Sequence, residues 1–195
     1  MGKIFCLLGK SSSGKDTVYK RLIADESLKL NPIVPYTTRP IREGERDGVE
    51  YRFTTEEGFK HYLESGKIIE ERAYNTVHGL WRYFTCDDEV NLEIQDYLII
   101  GTLEAYEKIR DFYGADKVRA IMIQLDDGLR LQRALERERK QESPKYEELC
   151  RRFLADADDF SEEKIRKANI SIRVENNNLE ECVEAIRSII TKERE

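Results

Sequence analysis

The residues best suited to chemistry form a glycine-rich loop near the start of the chain, residues 9–17. It reads Gly9-Lys-Ser-Ser-Ser-Gly14-Lys15-Asp16-Thr17 and matches the pattern G-x-x-x-x-G-K. Its glycines let successive main-chain N–H groups face inward and bind phosphate oxygens, and a following helix adds the positive end of its dipole. Lys15 can reach the β- and γ-phosphates of a nucleoside triphosphate as a point charge. The predicted triphosphate-binding residues are Gly9, Ser11, Ser12, Ser13, Gly14, Lys15, Asp16 and Thr17.

Asp16 stands where the usual pattern has serine or threonine, and it allows two interpretations. Its carboxylate could ligate Mg²⁺ directly, or the hydroxyl of Thr17 could do so, because Mg²⁺ accepts oxygen ligands of either kind. Alternatively, Asp16 is only the N-cap of the helix that follows the loop. The sequence leaves both open, with Asp16 and Thr17 as candidate Mg²⁺ ligands.

A second chemically suggestive segment, residues 36–53, carries arginines and tyrosines on a loop. Arg39 and Arg42 lie three positions apart beside Pro40, and such a pair can clamp one phosphate through bidentate hydrogen bonds. Tyr51 can add a hydroxyl donor. A run of charges is often only solvated surface, so composition alone also allows that interpretation.

Buried strands are needed to hold these loops in place. Apolar runs at residues 3–9, 97–101, 118–125 and 170–174 predict four such strands, and helical patterns fall between them. Helices are predicted at 17–24, 55–65, 102–112, 129–140, 146–160 and 179–190, with Thr55 as an N-cap. Two further strands, 68–74 and 81–85, are predicted around a turn at His78-Gly79, and short extended segments are predicted at 34–38 and 51–53. Strands that alternate with helices predict an α/β fold with a parallel sheet.

Composition narrows the classes of function. The chain has 195 residues and a net charge of -6, so one domain is expected and a basic face for nucleic-acid polymers is not. No stretch approaches the ~20 apolar residues of a membrane span. The four cysteines are far apart, have no zinc-site spacing and are expected to be reduced thiols, which together with the lack of a secretory signal predicts a cytoplasmic protein. They are Cys6, Cys86, Cys150 and Cys182.

The segment after the glycine-rich loop resembles the guanylate kinase family. Residues 37–53 fit T-T-R-x-x-R-x-G-E-x-D-G-x-x-Y-x-F, a long pattern that rarely arises by chance. Phe59 and Gly66-Lys-Ile-Ile-Glu70 resemble the F…G-x-x-x-E segment of that family. The arginine-rich stretch 133–152 resembles its lid, and residues 174–179, which include Asn176, resemble the turn that borders the adenine site.

The resemblance implies an enzyme that transfers the γ-phosphoryl group of ATP to GMP or dGMP, with Mg²⁺. It also implies a P-loop NTPase-type parallel sheet flanked by helices, with a core near 1–35, 91–130 and 165–195. An acceptor-binding segment would span about 36–90, and a helical lid about 131–160. The implied GMP-binding residues are Arg39, Arg42, Tyr51, Glu70, Tyr83 and Thr85, and the implied catalytic residues are Lys15, Arg137, Arg139 and Arg152.

Glu70 would face the guanine base, since one carboxylate can accept both the N1–H and the exocyclic amine of guanine, whereas adenine presents an acceptor at N1. From the residues alone, a surface strand carboxylate beside Glu71 is the favoured interpretation of Glu70. The lid arginines alternate with glutamates, so ordinary helix ion pairs are their alternative interpretation.

Three positions depart from the family pattern. Pro35 stands where the family has a serine that helps to read the base, and residues 75–81 form a local insertion before Tyr83-Phe84-Thr85. Gly101 and Thr102 follow a strand that in the family ends in Asp-x-Asp. These departures leave a different nucleotide, or a phosphorylated sugar, open as the acceptor. A related binding module without turnover is a further alternative, which Lys15 in an intact loop disfavours. The oligomeric state is left open.

Overall fold

The fold combines two sheets with seven helices in the part of the chain that the computed structural model describes, residues 1–42, 44–76, 79–88 and 90–194. The strands are, in chain order, β1 (Ile4–Leu8), β2 (Leu30–Pro32), β3 (Tyr36–Thr37), β4 (Arg52–Phe53), β5 (Ile68–Thr76), β6 (Gly79–Cys86), β7 (Asp96–Ile100), β8 (Val118–Gln124) and β9 (Arg173–Glu175). The helices are α1 (Lys15–Ile23), α2 (Glu56–Glu64), α3 (Leu103–Tyr113), α4 (Asp127–Arg139), α5 (Tyr146–Asp159), α6 (Glu162–Lys167) and α7 (Leu179–Arg194).

The core sheet is parallel throughout, with the strand order β2-β7-β1-β8-β9. All five residues of β1 are buried, because helices cover both faces of the sheet. One face packs against α1 and α7 through side chains such as Val18 and Ile186. The other packs against α3 and α6 through side chains such as Ile109 and Ile165. The predicted α/β fold with a parallel sheet is therefore confirmed.

The second sheet has the order β4-β3-β6-β5 and is built around a long antiparallel pair, β5 and β6. Its core is a small aromatic cluster of Tyr36, Phe59 and Phe84, to which α2 contributes Phe59. Successive residues of a strand face opposite sides of a sheet. Glu70 and Arg72 therefore share one face of β5, and Glu71 lies on the other.

Helices α4 and α5 pack against each other beside the carboxyl end of the core sheet. The buried positions of α4 are Arg130, Ala134 and Glu138, spaced four residues apart. The Arg130 guanidinium carbon lies 4.9 Å from the ring centroid of Phe153 in α5. No residue of α5 is fully buried, so polar contacts have a large part in holding this helix.

Most predicted elements are present within a few residues of their expected ends. Thr55 caps α2 as predicted, since its side chain accepts a hydrogen bond from the Gly58 N–H. The alternative that Asp16 is an N-cap is wrong, because α1 already begins at Lys15 and its N-cap is Gly14. Two short elements, β2 and α6, were not predicted, and β9 begins later than the predicted strand 170–174. The predicted turn at His78-Gly79 includes residue 78, which lies outside the described residues.

The cysteines are free thiols, and Cys6, Cys86 and Cys182 are buried while Cys150 is exposed. Burial raises the pKa of the Cys6 thiol to about 12, so this side chain stays protonated and unreactive. Among the described residues, no helix has the length and apolar character that a membrane crossing requires. The boundaries predicted for core, acceptor segment and lid stay predictions.

Candidate functional site

The glycine-rich loop joins β1 to α1 in a conformation that requires its second glycine. Gly14 has a φ of +88°, and a Cβ atom there would lie 2.3 Å from Nδ2 of Asn176. Any other residue would therefore meet both backbone strain and a steric clash. The N-terminus of α1 lies directly behind Gly14, so the free N–H groups and positive dipole end of the helix belong to the loop.

Two serine hydroxyls of the loop lack partners. The Oγ atoms of Ser12 and Ser13 are buried and make no hydrogen bond within the described residues. Buried hydroxyls are normally paired, so two such groups side by side are what a loop built for phosphate oxygens would contain. The ammonium group of Lys15 lies 3.9 Å from a carboxylate oxygen of Asp16.

Asp16 and Thr17 occupy the first turn of α1, and both are exposed. In the part of the chain described, no group of three His, Cys, Asp or Glu side chains could hold a metal ion by itself. Mg²⁺ bound with a nucleotide needs only one or two protein oxygens, because phosphates and water complete its six ligands. The donor set therefore fits a magnesium–nucleotide complex and does not fit a dedicated metal site.

Asn176 supports the loop from behind. Its buried side chain donates a hydrogen bond from Nδ2 to the carbonyl oxygen of Ser13 at 2.7 Å, and its main-chain N–H donates to Gln124 at 2.8 Å. The structure thus brings the predicted nucleotide-binding residue Asn176 to the loop. The contact it makes there is with the main chain of the loop.

An acidic residue of α5, Asp156, is bound to the same loop. Its carboxylate accepts hydrogen bonds from the Ser11 main-chain N–H at 2.8 Å and from the Ser11 hydroxyl at 3.3 Å. Arg130 joins the two, since its Nε donates to the Ser11 carbonyl at 3.0 Å and its Nη2 donates to Asp156 at 2.9 Å. Arg130 also pairs with Asp127. A carboxylate and a buried arginine therefore connect α4 and α5 to the loop.

The sequence did not predict Arg130 or Asp156. Arg130 shares its helix face with Ala134, and a four-residue spacing is the only local signal that it is buried. A charged residue is rarely buried without a partner. Asp127 is only three residues away, but the partner that joins the two helices, Asp156, is 26 residues away, so this pair was not visible in any short motif.

The arginines predicted to be catalytic differ in their positions. Arg152 reaches the loop, with Nη2 3.4 Å from the Ser11 hydroxyl. Arg133, a neighbour of the predicted set, has Nη2 3.5 Å from the carbonyl oxygen of Asn176. The side chains of Arg137 and Arg139 make no hydrogen bond or ion pair with any described residue, and both residues are exposed. The structure does not bring these two to the loop, and their predicted role stays a prediction.

In the second segment, Arg39 is buried and already paired. Its guanidinium binds both carboxylate oxygens of Glu45, at 2.8 and 2.6 Å, and lies 5.1 Å from the ring centroid of Tyr51. Burial works to lower the pKa of Arg39, but the hydrogen bonds and charge of Glu45 outweigh it and the pKa is raised. The same contacts lower the pKa of Glu45.

Arg42 has a different environment from Arg39. Its main-chain N–H donates to Glu45 at 2.9 Å, while its side chain is exposed. The pKa of Glu148 in α5 is lowered, first by a hydrogen bond from Arg151 and to a smaller extent by the charge of Arg42. The charge of Arg42 therefore acts on α5, whereas Arg39 lies in a buried ion pair.

Glu70 is fully buried at the centre of a polar cluster between the two sheets. Its carboxylate accepts from the Thr85 hydroxyl at 2.8 Å and from two nitrogens of Arg72, at 3.0 and 3.2 Å. The interpretation of Glu70 as a surface carboxylate is wrong. Burial works to lower the pKa of Arg72, but the charge and hydrogen bonds of Glu70 outweigh it and the pKa is raised.

Tyrosine rings close the same face of the second sheet. Tyr83 packs edge-on against Tyr51, with ring centroids 5.5 Å apart, and against Tyr74 at 5.7 Å. The structure thus brings Arg39, Tyr51 and Tyr83 into one group and Glu70 and Thr85 into another.

A parallel sheet whose first strand enters a G-x-x-x-x-G-K loop, followed at once by a helix, defines a P-loop nucleotide-binding protein. The chain belongs to the guanylate kinase family of ATP-dependent phosphotransferases, because the model of that family matches residues 1–193.

Relatives agree with this assignment over nearly the whole chain. The chain is 29% identical to the guanylate kinase of Mycoplasma mobile, with 98% of this chain and 94% of the relative covered. It is also 29% identical to the guanylate kinase of Porphyromonas gingivalis, with 98% of each covered. A crystal structure of guanylate kinase from Anaplasma phagocytophilum shares the fold, with a TM-score of 0.68, 24% identity and coverage of 98% of this chain and 86% of that one.

Proposed function

We propose that the protein transfers the γ-phosphoryl group of ATP to GMP or dGMP and forms ADP with GDP or dGDP. The observation that carries the acceptor assignment is the buried carboxylate of Glu70 on the same sheet face as Tyr83 and Thr85. A buried acceptor of hydrogen bonds suits the two adjacent N–H donors of guanine. Membership of the guanylate kinase family supports the same acceptor.

On the donor side, the glycine-rich loop binds and orients the triphosphate. Its main-chain N–H groups and the free hydroxyls of Ser12 and Ser13 are donors for phosphate oxygens, and Lys15 supplies positive charge. Asp16 and Thr17 are the residues that would hold Mg²⁺, which when bound neutralises charge on the β- and γ-phosphates. Asn176 lies behind this loop, and its contact with the nucleotide is a prediction.

On the acceptor side, Arg39, Arg42 and Tyr51 hold the phosphate of GMP, and Glu70, Thr85 and Tyr83 hold its base. Glu45 already occupies the Arg39 fork. The phosphate therefore binds to the remaining donors of Arg39, or displaces Glu45. The acceptor phosphate is ionised at neutral pH, so no general base is needed and His61 has no catalytic role.

Helices α4 and α5 act as the lid. Arg137, Arg139 and Arg152 are placed on it to neutralise charge on the transferring group, and closure excludes water that would hydrolyse ATP. Arg152 is already beside the loop. The side chains of Arg137 and Arg139 have no partner among the described residues, so no contact has to break before they move toward the loop. A cytoplasmic location remains a prediction.

A second candidate is transfer to a different nucleotide or to a phosphorylated sugar. Gly101 and Thr102 favour it, since this strand end carries no carboxylate. ADP release from ATP and Mg²⁺ with GMP, dGMP, AMP, CMP and UMP separates the candidates. Turnover with GMP and dGMP alone is the expected result. Turnover with another acceptor supports the second candidate, and none with any acceptor supports a binding module without catalysis.

A further inference from the structure

Arg72 is an arginine of the proposed base site for which the sequence assigned no role. It lies two residues after Glu70 on the same face of β5. Its Nε and Nη2 bind the two oxygens of the Glu70 carboxylate, at 3.0 and 3.2 Å. The Glu70 side chain has no exposed surface, and that of Arg72 is 15% exposed. Glu70 is therefore part of an ion pair whose only exposed member is Arg72.

The guanidinium of Arg72 also spans the gap between the two sheets. Its Nη1 lies 3.4 Å from the hydroxyl of Thr102, which caps α3 after strand β7 of the core sheet. Tyr83, one of the predicted acceptor residues, is the register partner of Arg72 across β5 and β6. Arg72 thus stands at the position where the family pattern would place carboxylates from β7, beside the acceptor residues of the second sheet.

The pair of Glu70 and Arg72 still has hydrogen-bonding groups that no described residue uses. Arginine has five N–H donors. Glu70 takes two of those of Arg72 and Thr102 takes one, so two remain without a described partner. The Glu70 carboxylate has about four acceptor sites, of which Thr85 and Arg72 fill three. The pair therefore retains two N–H donors on Arg72 and one acceptor site on the buried Glu70 carboxylate.

Guanine requires this combination on one edge, since O6 is an acceptor and the neighbouring N1–H and amine are donors. The single remaining acceptor site of Glu70 meets one guanine N–H. The longer of the two hydrogen bonds from Arg72 to Glu70, at 3.2 Å, breaks so that Glu70 can accept the second guanine N–H. An N–H of Arg72 is then free to bind O6. A serine that would help to read the base is absent here, because Pro35 occupies its place.

We propose that Arg72 is a specificity-determining residue of the acceptor site, which reads the O6 carbonyl of guanine while Glu70 reads the adjacent N–H donors. This inference rests on the proposed transfer to GMP. Arg72 of β5 would then make the base contact that this chain lacks at Pro35, where the family pattern has a serine.

The test compares GMP with 6-thioguanosine monophosphate, which keeps the N–H donors and replaces O6 by sulfur, a weak acceptor. The wild-type enzyme is expected to prefer GMP in kcat/KM by about 10-fold or more, the loss expected for one charged hydrogen bond. The Arg72→Met variant is expected to lose most of this preference. The ratio of GMP to dGMP, which differ only at the sugar, should remain unchanged.

The matched control is Arg82→Met. Arg82 pairs with Glu56 and Glu71 on the opposite face of the same sheet, so its loss removes an ion pair and leaves the proposed base site intact. The GMP preference should stay at the wild-type value. If Arg72→Met does not fold, Arg72→Lys takes its place, because lysine keeps a positive charge beside the buried Glu70. This variant should retain an intermediate preference for GMP over the sulfur analogue.

The inference is overturned if the Arg72 variants slow GMP and the sulfur analogue by the same factor, because Arg72 would then only position Glu70. It is also overturned if the wild-type enzyme uses AMP as well as GMP. Failure of the proposed function has a different signature, which is a wild-type enzyme that turns over neither GMP nor its analogue.

Discussion

The glycine-rich loop and the second sheet prepare for phosphate and base in different ways. The loop offers main-chain N–H groups and two free serine hydroxyls, and its shape is dictated by Gly14. The second sheet offers charged side chains that already have internal partners, Arg39 with Glu45 and Glu70 with Arg72. One region therefore holds unpaired neutral donors, and the other holds neutralised charges.

This difference has a physical basis. A buried neutral donor without a partner costs about 1–3 kcal/mol, whereas a buried charge that loses its partner costs about 3–5 kcal/mol. Charged groups that bind a ligand must then exchange an internal partner for it, and specificity can arise in that exchange. Binding at the loop needs less exchange, although the Ser11 N–H already donates to Asp156 and the Ser13 N–H to the Lys10 carbonyl.

Replacing the loop lysine should have the largest effect. Lys15→Ala should lower kcat by about 100-fold to 1,000-fold with every acceptor, because the γ-phosphoryl charge loses its fixed cation. Lys20→Ala, in the same helix and exposed, is the control and should leave kcat unchanged. Steady-state ADP release measures both. An equal loss in the two variants would contradict a special role for Lys15.

Replacing the buried acceptor carboxylate should act on one substrate only. Glu70→Gln should reduce kcat/KM for GMP by about 100-fold, since a charged acceptor is lost and Arg72 is left without its counter-charge. ATP binding, followed by calorimetry, should not change. Glu71→Gln on the opposite face is the control. Unchanged GMP kinetics in Glu70→Gln would show that the base does not meet this residue.

Two arginines of α4 are expected to differ in role, one in stability and the other in catalysis. Arg130→Met should lower the free energy of unfolding by about 3 kcal/mol, because Asp156 loses its buried partner. Arg137→Met should change it by less than about 0.5 kcal/mol, since Arg137 is exposed. Urea unfolding gives both values.

The kinetics of the same pair complete this test. If Arg137 is a lid arginine that meets the transferring group, Arg137→Met lowers kcat while stability is kept. An Arg137 variant with wild-type kcat would remove that residue from the proposed catalytic set.

The smallest expected effect is on how the contribution of Glu45 to the free energy of unfolding changes at acidic pH. The pKa of Glu45 in the folded state lies below its ordinary value of 4.5. Its stabilising contribution is therefore complete above that value and is lost as the pH falls toward the folded pKa. Glu45→Gln should cost about 1.5 kcal/mol at neutral pH. The cost should shrink in urea unfolding from about pH 6 to about pH 3. A cost that is independent of pH would contradict this assignment.

Local patterns in the sequence were enough to predict the loop, most helices and the strands of the core. The loop is a motif of contiguous residues, and Thr55 caps α2 through a neighbour three residues away, so both leave a local signal. The short strand β2 leaves none, since its three residues include a proline and depend on pairing with β7.

The candidate site was predictable in its residues and not in its pairings. The family resemblance pointed to Arg39 and Glu70 but not to their burial against Glu45 and Arg72. Arg72 looked like one of many charges on a strand, and only the approach of Thr102, 30 residues later, shows where it lies. Contacts across that distance depend on how the two sheets meet, which no short pattern encodes.

The support of Ser13 by Asn176 links positions 163 residues apart in the chain. During synthesis the ribosome therefore produces the loop long before its brace. A nascent chain that stops before β9 lacks the side chain that binds the Ser13 carbonyl. The loop can reach its braced conformation only after residue 176 has emerged.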